Sequence, residues 1–146
     1  IAPVRAMRDA GVPVGLGVDG SASNDTGNLM LEARQAMLLQ RVALGADKMS
    51  AHEALEIATR GGADVLGRPD CGRLAAGKRA DIAIWDVSGI ESAGSWDPAA
   101  LVLAGPTRVR DLLVEGRQVV RDGQIATVDL PRVLEDQRRL ARRLAE

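Results

Sequence analysis

The chain has 146 residues and a formal net charge of −1, because 19 basic side chains nearly balance 20 acidic ones. This balance argues against a surface that attracts nucleic acid or an anionic membrane by charge, and two Trp without Phe or Tyr leave no row of rings for stacking bases. The single cysteine, Cys71, allows no disulfide within the chain and favours a reducing compartment. Since no segment has the roughly 18 to 20 successive apolar residues that cross a bilayer, we expect a cytoplasmic protein.

The first elements predicted along the chain are a helix, a strand and a second helix. Residues 4–10 have the pattern of a helix end, and Gly11 follows where a left-handed residue is favoured. Residues 12–18 (VPVGLGV) are short and continuously apolar, which indicates a buried parallel strand. Residues 28–44 repeat apolar side chains at helical spacing, with Asn28 as the N-cap. This order is one unit of an α/β protein.

A third helix is predicted from a capping box. Ser50 stands at the cap position and Glu53 follows three residues later. The helix is expected to run to about Leu66 and to stop at Gly67. The side chains expected on its apolar face are Ala51, Leu55, Ala58 and Val65.

Beyond Gly67 the apolar period changes from helical to alternating. The short strands predicted there are residues 80–87, 109–114, 118–121 and 124–128. The dipeptides Glu115-Gly116 and Asp122-Gly123 are turn formers and predict a β-meander. Residues 89–98 are expected to be a loop, and residues 130–146 a terminal helix.

The chain therefore divides near Gly67 into an α/β part and a mostly β part. One parallel strand cannot form a sheet, and three or four short strands with one apolar face need a partner layer. We expect the chain to be the C-terminal piece of a longer protein, and a first residue Ile1 in place of Met agrees with this expectation.

Asp19 is the strongest candidate for a functional group, because it follows directly on the predicted strand in the stretch GLGVDGSASND. In (β/α) barrels the C-terminal ends of the strands and the loops after them form the active-site face. A carboxylate there can bind a divalent metal or accept a proton from a metal-activated water. Asp-Gly after a strand is also a common turn, and both interpretations stay open at this point. The small polar loop of residues 20–25 favours a site, since such a loop can lie close to a ligand.

Two stretches of the sequence resemble deaminases of the amidohydrolase superfamily. GVPVGLGVDGSASND, followed by GNLMLEARQAMLLQR, is similar to the segment at the eighth barrel strand of these enzymes, and in particular of the 8-oxoguanine deaminase group. ALEIATRGGA, then LG, then GRLAAGKRADI resembles the region where they leave the barrel and enter a small β domain. The resemblance covers nearly the whole chain.

The resemblance implies a distorted (β/α)8 barrel with a β-sandwich-like domain built from both chain ends. Residues 1–66 would hold the last barrel strand and the closing helices. Residues 67–129 would hold the C-terminal share of the small β domain, and residues 130–146 the terminal helix.

The resemblance also implies a reaction, the hydrolytic deamination of an oxidised purine such as 8-oxoguanine. Asp19 matches the family's zinc-ligating, proton-shuttling aspartate. It would take a proton from a metal-activated water, whose oxygen attacks the purine carbon that bears the amino group, and ammonia leaves. The family's histidine ligands lie upstream of the matched positions, and one carboxylate cannot hold a catalytic zinc. The isolated chain is therefore expected to be inactive; its expected partner is a small-molecule substrate, and a homo-oligomer is possible.

Other candidate residues are weaker. Ser21, Ser23 and Asn24 could orient substrate, although hydrogen bonds within the loop and entry into the next helix explain them equally well. His52, in the second position of the capped helix, has no partner at ligand spacing and is expected at the surface. Cys71 is expected to be structural.

Two alternative functions stay open. One keeps the superfamily and changes the substrate, to an s-triazine, another amino-heterocycle or an adenosine-type compound, since most loops that would contact substrate are absent from this sequence. The other is a non-catalytic structural or interaction module without a complete metal site.

Overall fold

The computed structural model describes residues 1–20, 22–24, 26–105 and 107–145. The helices are α1 (Val4–Asp9), α2 (Leu29–Leu44), α3 (Ala51–Glu56), α4 (Gly62–Val65), α5 (Pro98–Ala104) and α6 (Leu130–Ala145). The strands are β1 (Ile82–Asp86), β2 (Arg108–Val114), β3 (Arg117–Arg121) and β4 (Gln124–Ile125). A π-helical turn, Ile57–Gly61, joins α3 to α4, and a 3₁₀ turn spans Ile90–Ser92. The fold is a mixed α/β arrangement in which most of the helices precede the sheet.

Helix α2 is the centre of the helical half and packs against α1, α3 and α5. The side chain of Asn28 accepts hydrogen bonds from the N–H groups of Met30 (3.0 Å) and Leu31 (3.4 Å), so the predicted N-cap is confirmed. The inner face of α2 buries Ala33 and Met37. The other buried apolar residues of this core are Val4, Met49, Ala51, Ala54, Ile57, Ala99 and Leu103.

Helix α3 begins with the predicted capping box. The N–H of Glu53 donates to Ser50 Oγ (3.1 Å), and the N–H of Ser50 donates to Glu53 Oε2 (2.8 Å). The prediction that Val65 shares the apolar face is wrong, since Val65 is 55% exposed while Ala63 is buried. The π turn explains the difference, because its wider turn rotates the residues after it relative to a regular α-helix.

Ion pairs join α1 to α3. Arg5 Nη1 lies 2.6 Å from Glu53 Oε1, and Arg8 Nη2 lies 2.6 Å from Glu56 Oε2. The other oxygen of that carboxylate, Glu56 Oε1, pairs with Arg60 of the π turn. Helix α1 ends as predicted, with Gly11 in the left-handed region at φ +74°.

The segment of residues 12–18 is not the buried parallel strand that its apolar composition predicts. It is extended but forms no strand, none of its residues is buried, and Val12 is 44% exposed. A strand requires a neighbour with which to share hydrogen bonds, and within the described ranges no strand pairs with this segment. Its side chains Val14 and Leu16 instead pack against the helical core.

The four strands form an antiparallel meander in the order β1-β2-β3-β4, as predicted. Both predicted turns are confirmed, with positive φ at Glu115 (52°) and Gly116 (78°) and at Asp122 (48°) and Gly123 (75°). Positive φ at both central residues is the geometry that matches the twist of a hairpin. Strand β4 is shorter than predicted and ends at Ile125.

Helix α5 was not predicted from the sequence, and its start falls at the end of the predicted loop 89–98. It lies between β1 and β2 in the chain but packs into the helical core through Ala99 and Leu103, which are each 3% exposed. Asp97 caps it, since Asp97 Oδ1 accepts the N–H of Ala99 (2.9 Å), and Pro98 occupies its first position. Helix α5 therefore connects the sheet to the helical half.

The terminal helix α6 is confirmed, and none of its described residues is buried. Among the helices of the described ranges, none is long and apolar enough to cross a membrane. The two tryptophans differ in environment: Trp85 on β1 is half-buried, and Trp96 is 96% exposed.

Candidate functional site

Asp19 lies at the end of the extended segment, with its side chain exposed to solvent. Its φ of +62° is in the left-handed region, which a non-glycine residue adopts rarely and Asp adopts more readily than most. Asp19 Oδ1 accepts the N–H of Gly20 at 2.8 Å. The chain thus turns sharply at Asp19 and presents its carboxylate outside the helical core.

The neighbours of Asp19 stabilise its charged form. The N–H of Gly20, which donates to the carboxylate, holds the pKa of the Asp19 carboxyl below its ordinary value of 3.8. The side chain is therefore ionised at neutral pH. An ionised, exposed carboxylate can act as an oxygen ligand to a cation or as a proton acceptor.

Asn24 anchors the loop that follows Asp19. Its Nδ2 donates to the carbonyl oxygen of Val18 (2.7 Å) and to Glu32 Oε1 on α2 (2.8 Å), and its Oδ1 accepts the N–H of Thr26 (3.2 Å). The residue before Asp19 is thereby linked to α2. The role of Asn24 toward substrate stays a prediction, as does that of Ser23, whose Oγ donates to the Gly20 carbonyl (3.1 Å). The third predicted residue, Ser21, lies outside the described residues.

Two features of the site were missed in the sequence. Glu32 is a charged residue in the first turn of α2, and only its contact with Asn24 relates it to Asp19. The pair Gly61-Gly62 lies against the extended segment that carries Asp19. A Gly-Gly pair inside a helical pattern is a signal of close packing that could have been recognised.

A complete zinc site does not fit within this part of the molecule. In the portion of the chain that the structure describes, no group of three His, Cys, Asp or Glu side chains could hold a metal ion. His52 is exposed, as predicted, and its Nε2 lies 3.3 Å from Asp97 Oδ1 at the start of α5. Cys71 is half-buried, with Sγ 3.8 Å from the carbonyl oxygen of Arg68. By its chemistry Asp19 suits a single ligand position, and a full coordination shell needs further donors.

The residues of this site lie within a stretch that matches a known family. The model of the Amidohydrolase family matches residues 1–119. The chain belongs to the amidohydrolase family. The resemblance predicted from the sequence is confirmed.

Relatives in the amidohydrolase family are similar over nearly the whole of this chain. The 8-oxoguanine deaminase of Pseudomonas aeruginosa is 47% identical over 131 residues, which are 89% of this chain and 29% of that protein. The 5-methylthioadenosine/S-adenosylhomocysteine deaminase of Desulforudis audaxviator is 44% identical over 150 residues, which cover 100% of this chain and 35% of that protein. The chain therefore spans about a third of the length of these relatives.

A solved amidohydrolase structure has the same fold over this part of the chain. The atrazine chlorohydrolase of Arthrobacter aurescens, whose crystal structure contains zinc, matches with a TM-score of 0.87 and 41% identity. The match covers 96% of this chain and 32% of that one. The sheet and the helices described above are thus the amidohydrolase arrangement of this third.

Proposed function

We propose that this chain is the C-terminal part of a zinc-dependent amidohydrolase that deaminates an oxidised purine such as 8-oxoguanine. The observation that carries the proposal is Asp19, an ionised and exposed carboxylate at the end of an extended segment. The 47% identity to an 8-oxoguanine deaminase over 89% of this chain supports the substrate class.

In this proposal the extended segment is the last strand of the barrel, and its neighbouring strand comes from a part of the protein outside these residues. Residues 1–66 then complete the barrel, residues 67–129 contribute to the small β domain, and residues 130–146 form the terminal helix. The lack of strand pairing and the partial exposure of the segment agree with a strand whose neighbour lies elsewhere.

Asp19 acts in this proposal as one metal ligand and as the proton carrier. The reaction consumes one water and one aminopurine, breaks the bond between the ring carbon and the amino nitrogen, and yields the oxo product and ammonia. Zinc, held with histidines outside this chain, would lower the pKa of water. The Asp19 carboxylate would accept a proton from water and return it to the leaving nitrogen.

The test is the Asp19→Asn substitution in the full-length gene product, with Asp47→Asn as the matched control. Both residues are exposed aspartates, and the Asp47 carboxylate forms a salt bridge with Lys48. We expect Asp19→Asn to reduce ammonia release from 8-oxoguanine by about 10³-fold or more, while Asp47→Asn retains activity. Retained activity in Asp19→Asn would remove Asp19 from the mechanism.

A second candidate is a different amino-heterocycle as substrate. The similarity to an atrazine chlorohydrolase and to a 5-methylthioadenosine/S-adenosylhomocysteine deaminase favours a triazine or an adenosine-type compound. Ammonia release from 8-oxoguanine, guanine, isocytosine, hydroxylated triazines and adenosine by one enzyme preparation separates these substrates, and the highest kcat/KM identifies the class.

A non-catalytic module is the candidate from another class, and it is favoured because no group of three His, Cys, Asp or Glu side chains among the described residues could hold a metal ion. Elemental analysis of the native gene product decides between them. Roughly one zinc per chain supports the enzyme, and a product without metal supports the module.

A further inference from the structure

The segment that carries Asp19 is held by a contact between two backbones. An added Cβ on Gly61, the last residue of the π turn, would overlap the carbonyl oxygen of Val14. An added Cβ on Gly15 would lie 2.9 Å from Gly62 Cα and 3.2 Å from Gly62 N. The extended segment and the helix therefore meet with no room for a side chain between them.

The π turn and the glycines act together in this contact. A π turn is a local widening of an α-helix that changes the direction in which the following residues point. Here it ends at Gly61, and the next residue, Gly62, starts α4. A Cβ on Gly62 itself would meet nothing within 4 Å. Of these two neighbouring glycines, Gly61 is the one whose missing side chain leaves room for the Val14 carbonyl.

Two further contacts hold the segment between Val14 and Asp19. Leu16, which lies between Val14 and Asp19 in the sequence, packs against the helical core. The Val18 carbonyl is held by Asn24, which is in turn held by Glu32. Because Leu16 and the Val18 carbonyl are both held, we expect a displacement of Val14 to affect the course of the segment as far as Asp19.

We propose that Gly61 is a positioning residue for Asp19: its bare backbone seats Val14 and thereby sets the distance of the Asp19 carboxylate from the reacting atoms. The proposal rests on the function proposed above. Gly61 touches no substrate and acts through the extended segment.

Three alanine variants of the full-length protein test the proposal as a graded series. Gly61→Ala creates the severe overlap, Gly15→Ala a milder one, and Gly62→Ala is the matched control with open space around the new methyl group. Gly61→Ala should reduce kcat by about 10²-fold, the cost of a displacement of about 1 Å in a reacting group. The effect on kcat should exceed the effect on KM, because Gly61 itself touches no substrate and acts on the placement of Asp19. Gly15→Ala should have a smaller effect on kcat, and Gly62→Ala should stay near wild type.

A second measurement reports on the segment without catalysis. The N–H groups of Ser23 and Asn24 both donate to the Gly20 carbonyl (2.9 and 3.0 Å). The rate at which these two amides exchange hydrogen with solvent therefore reports how well ordered the turn beside Asp19 is. We expect faster exchange of both amides in Gly61→Ala, with and without zinc, and unchanged exchange in Gly62→Ala.

The outcomes separate the two proposals. Wild-type kcat and exchange in Gly61→Ala overturn the positioning role, and so does an equal loss in Gly61→Ala and Gly62→Ala. If Gly61→Ala does not fold, the same comparison between Gly15→Ala and Gly62→Ala decides. A wild-type protein without deaminase activity contradicts the proposed function, and the exchange measurement still tests whether Gly61 seats the segment.

Discussion

At the scale of single residues, a buried amide on α2 holds the first turn of α1. Gln40 is 2% exposed, its Oε1 accepts the N–H of Arg5 (3.1 Å), and its Nε2 donates to the carbonyl oxygen of Ala2 (3.0 Å). Pro3 provides no side-chain cap for α1. Gln40 therefore satisfies a backbone donor that the start of a helix leaves free.

We expect Gln40→Met to lower the free energy of unfolding by about 1–3 kcal/mol, because a side chain of similar size removes both hydrogen bonds and leaves the partly buried N–H of Arg5 without this acceptor. Gln35→Met, at an exposed position of the same helix, is the control and should change little. Urea unfolding followed by far-ultraviolet circular dichroism measures both. Equal effects of the two substitutions would show that the hydrogen bonds of Gln40 to the start of α1 do not stabilise the fold.

Glu53 makes the stability of the fold depend on pH in a predictable direction. The N–H of Ser50, with the Arg5 guanidinium adding to it, holds the pKa of the Glu53 carboxyl below its ordinary value of 4.5. A lowered folded-state pKa stabilises the fold fully above the unfolded-state pKa, and this stabilisation is lost as the pH falls through the folded-state pKa.

Glu53→Gln keeps an oxygen for the Ser50 N–H and removes the charge. At neutral pH we expect a loss of up to about 1 kcal/mol, since the pair with Arg5 is partly exposed. The difference in melting temperature between variant and wild type should narrow from about pH 6 to about pH 3. A difference that stays constant over this range would show that the charge of Glu53 does not contribute.

Local chemistry explains which residues were predictable from the sequence. The caps at Asn28 and Ser50 and the left-handed Gly11 depend on residues within one helical turn, so the sequence pattern is sufficient. The contact of Gly61 with Val14 and that of Glu32 with Asn24 join residues from different elements, and no local pattern encodes them.

At the scale of elements, α5 and the extended segment differ most from expectation. Asp97-Pro98 is a good helix start, but the helix has only seven residues and stands between a Gly- and Ser-containing loop and Gly105, where a loop is equally consistent with the composition. The apolar run of residues 12–18 predicts a strand, which the structure does not contain, because the composition of a segment cannot supply the partner that a strand requires.

Asp97→Ala should lower the free energy of unfolding by about 1 kcal/mol, because it removes the cap of α5. Asp97→Ser should retain most of the stability, since Ser is also a good cap. His52→Ala removes the other neighbour of the Asp97 carboxylate and should have a smaller effect than Asp97→Ala. Thermal unfolding of the three variants by circular dichroism checks this order, and a larger loss in His52→Ala would mean that the contact with His52, and not the cap, carries the effect.

At the scale of the whole molecule, the order of helices followed by a meander was predictable because period and turn residues change together near Gly67. The return of α5 into the helical core was not, since it depends on how the two halves pack. Helix α6 was predicted in position, and none of its described residues is buried.

Deletion of residues 130–146 should leave the rest of this chain folded. Because α6 buries no side chain against the other elements, we expect the melting temperature to change by less than about 4 °C, which is the effect of about 1 kcal/mol in a domain of this size. Circular dichroism of the shortened and the complete chain provides the comparison, and a larger fall would mean that α6 stabilises the core.

Trp85 and Trp96 differ in solvent exposure, so the intrinsic fluorescence of the chain can report on unfolding of one part of it. With no Tyr or Phe in the chain, these two indoles supply all of its aromatic fluorescence. Trp96 is already in water when the chain is folded, so a change in emission during unfolding comes from Trp85 and follows β1. Helical dichroism follows the other half, and the separation between the two melting curves therefore measures how tightly the sheet and the helices unfold as one unit.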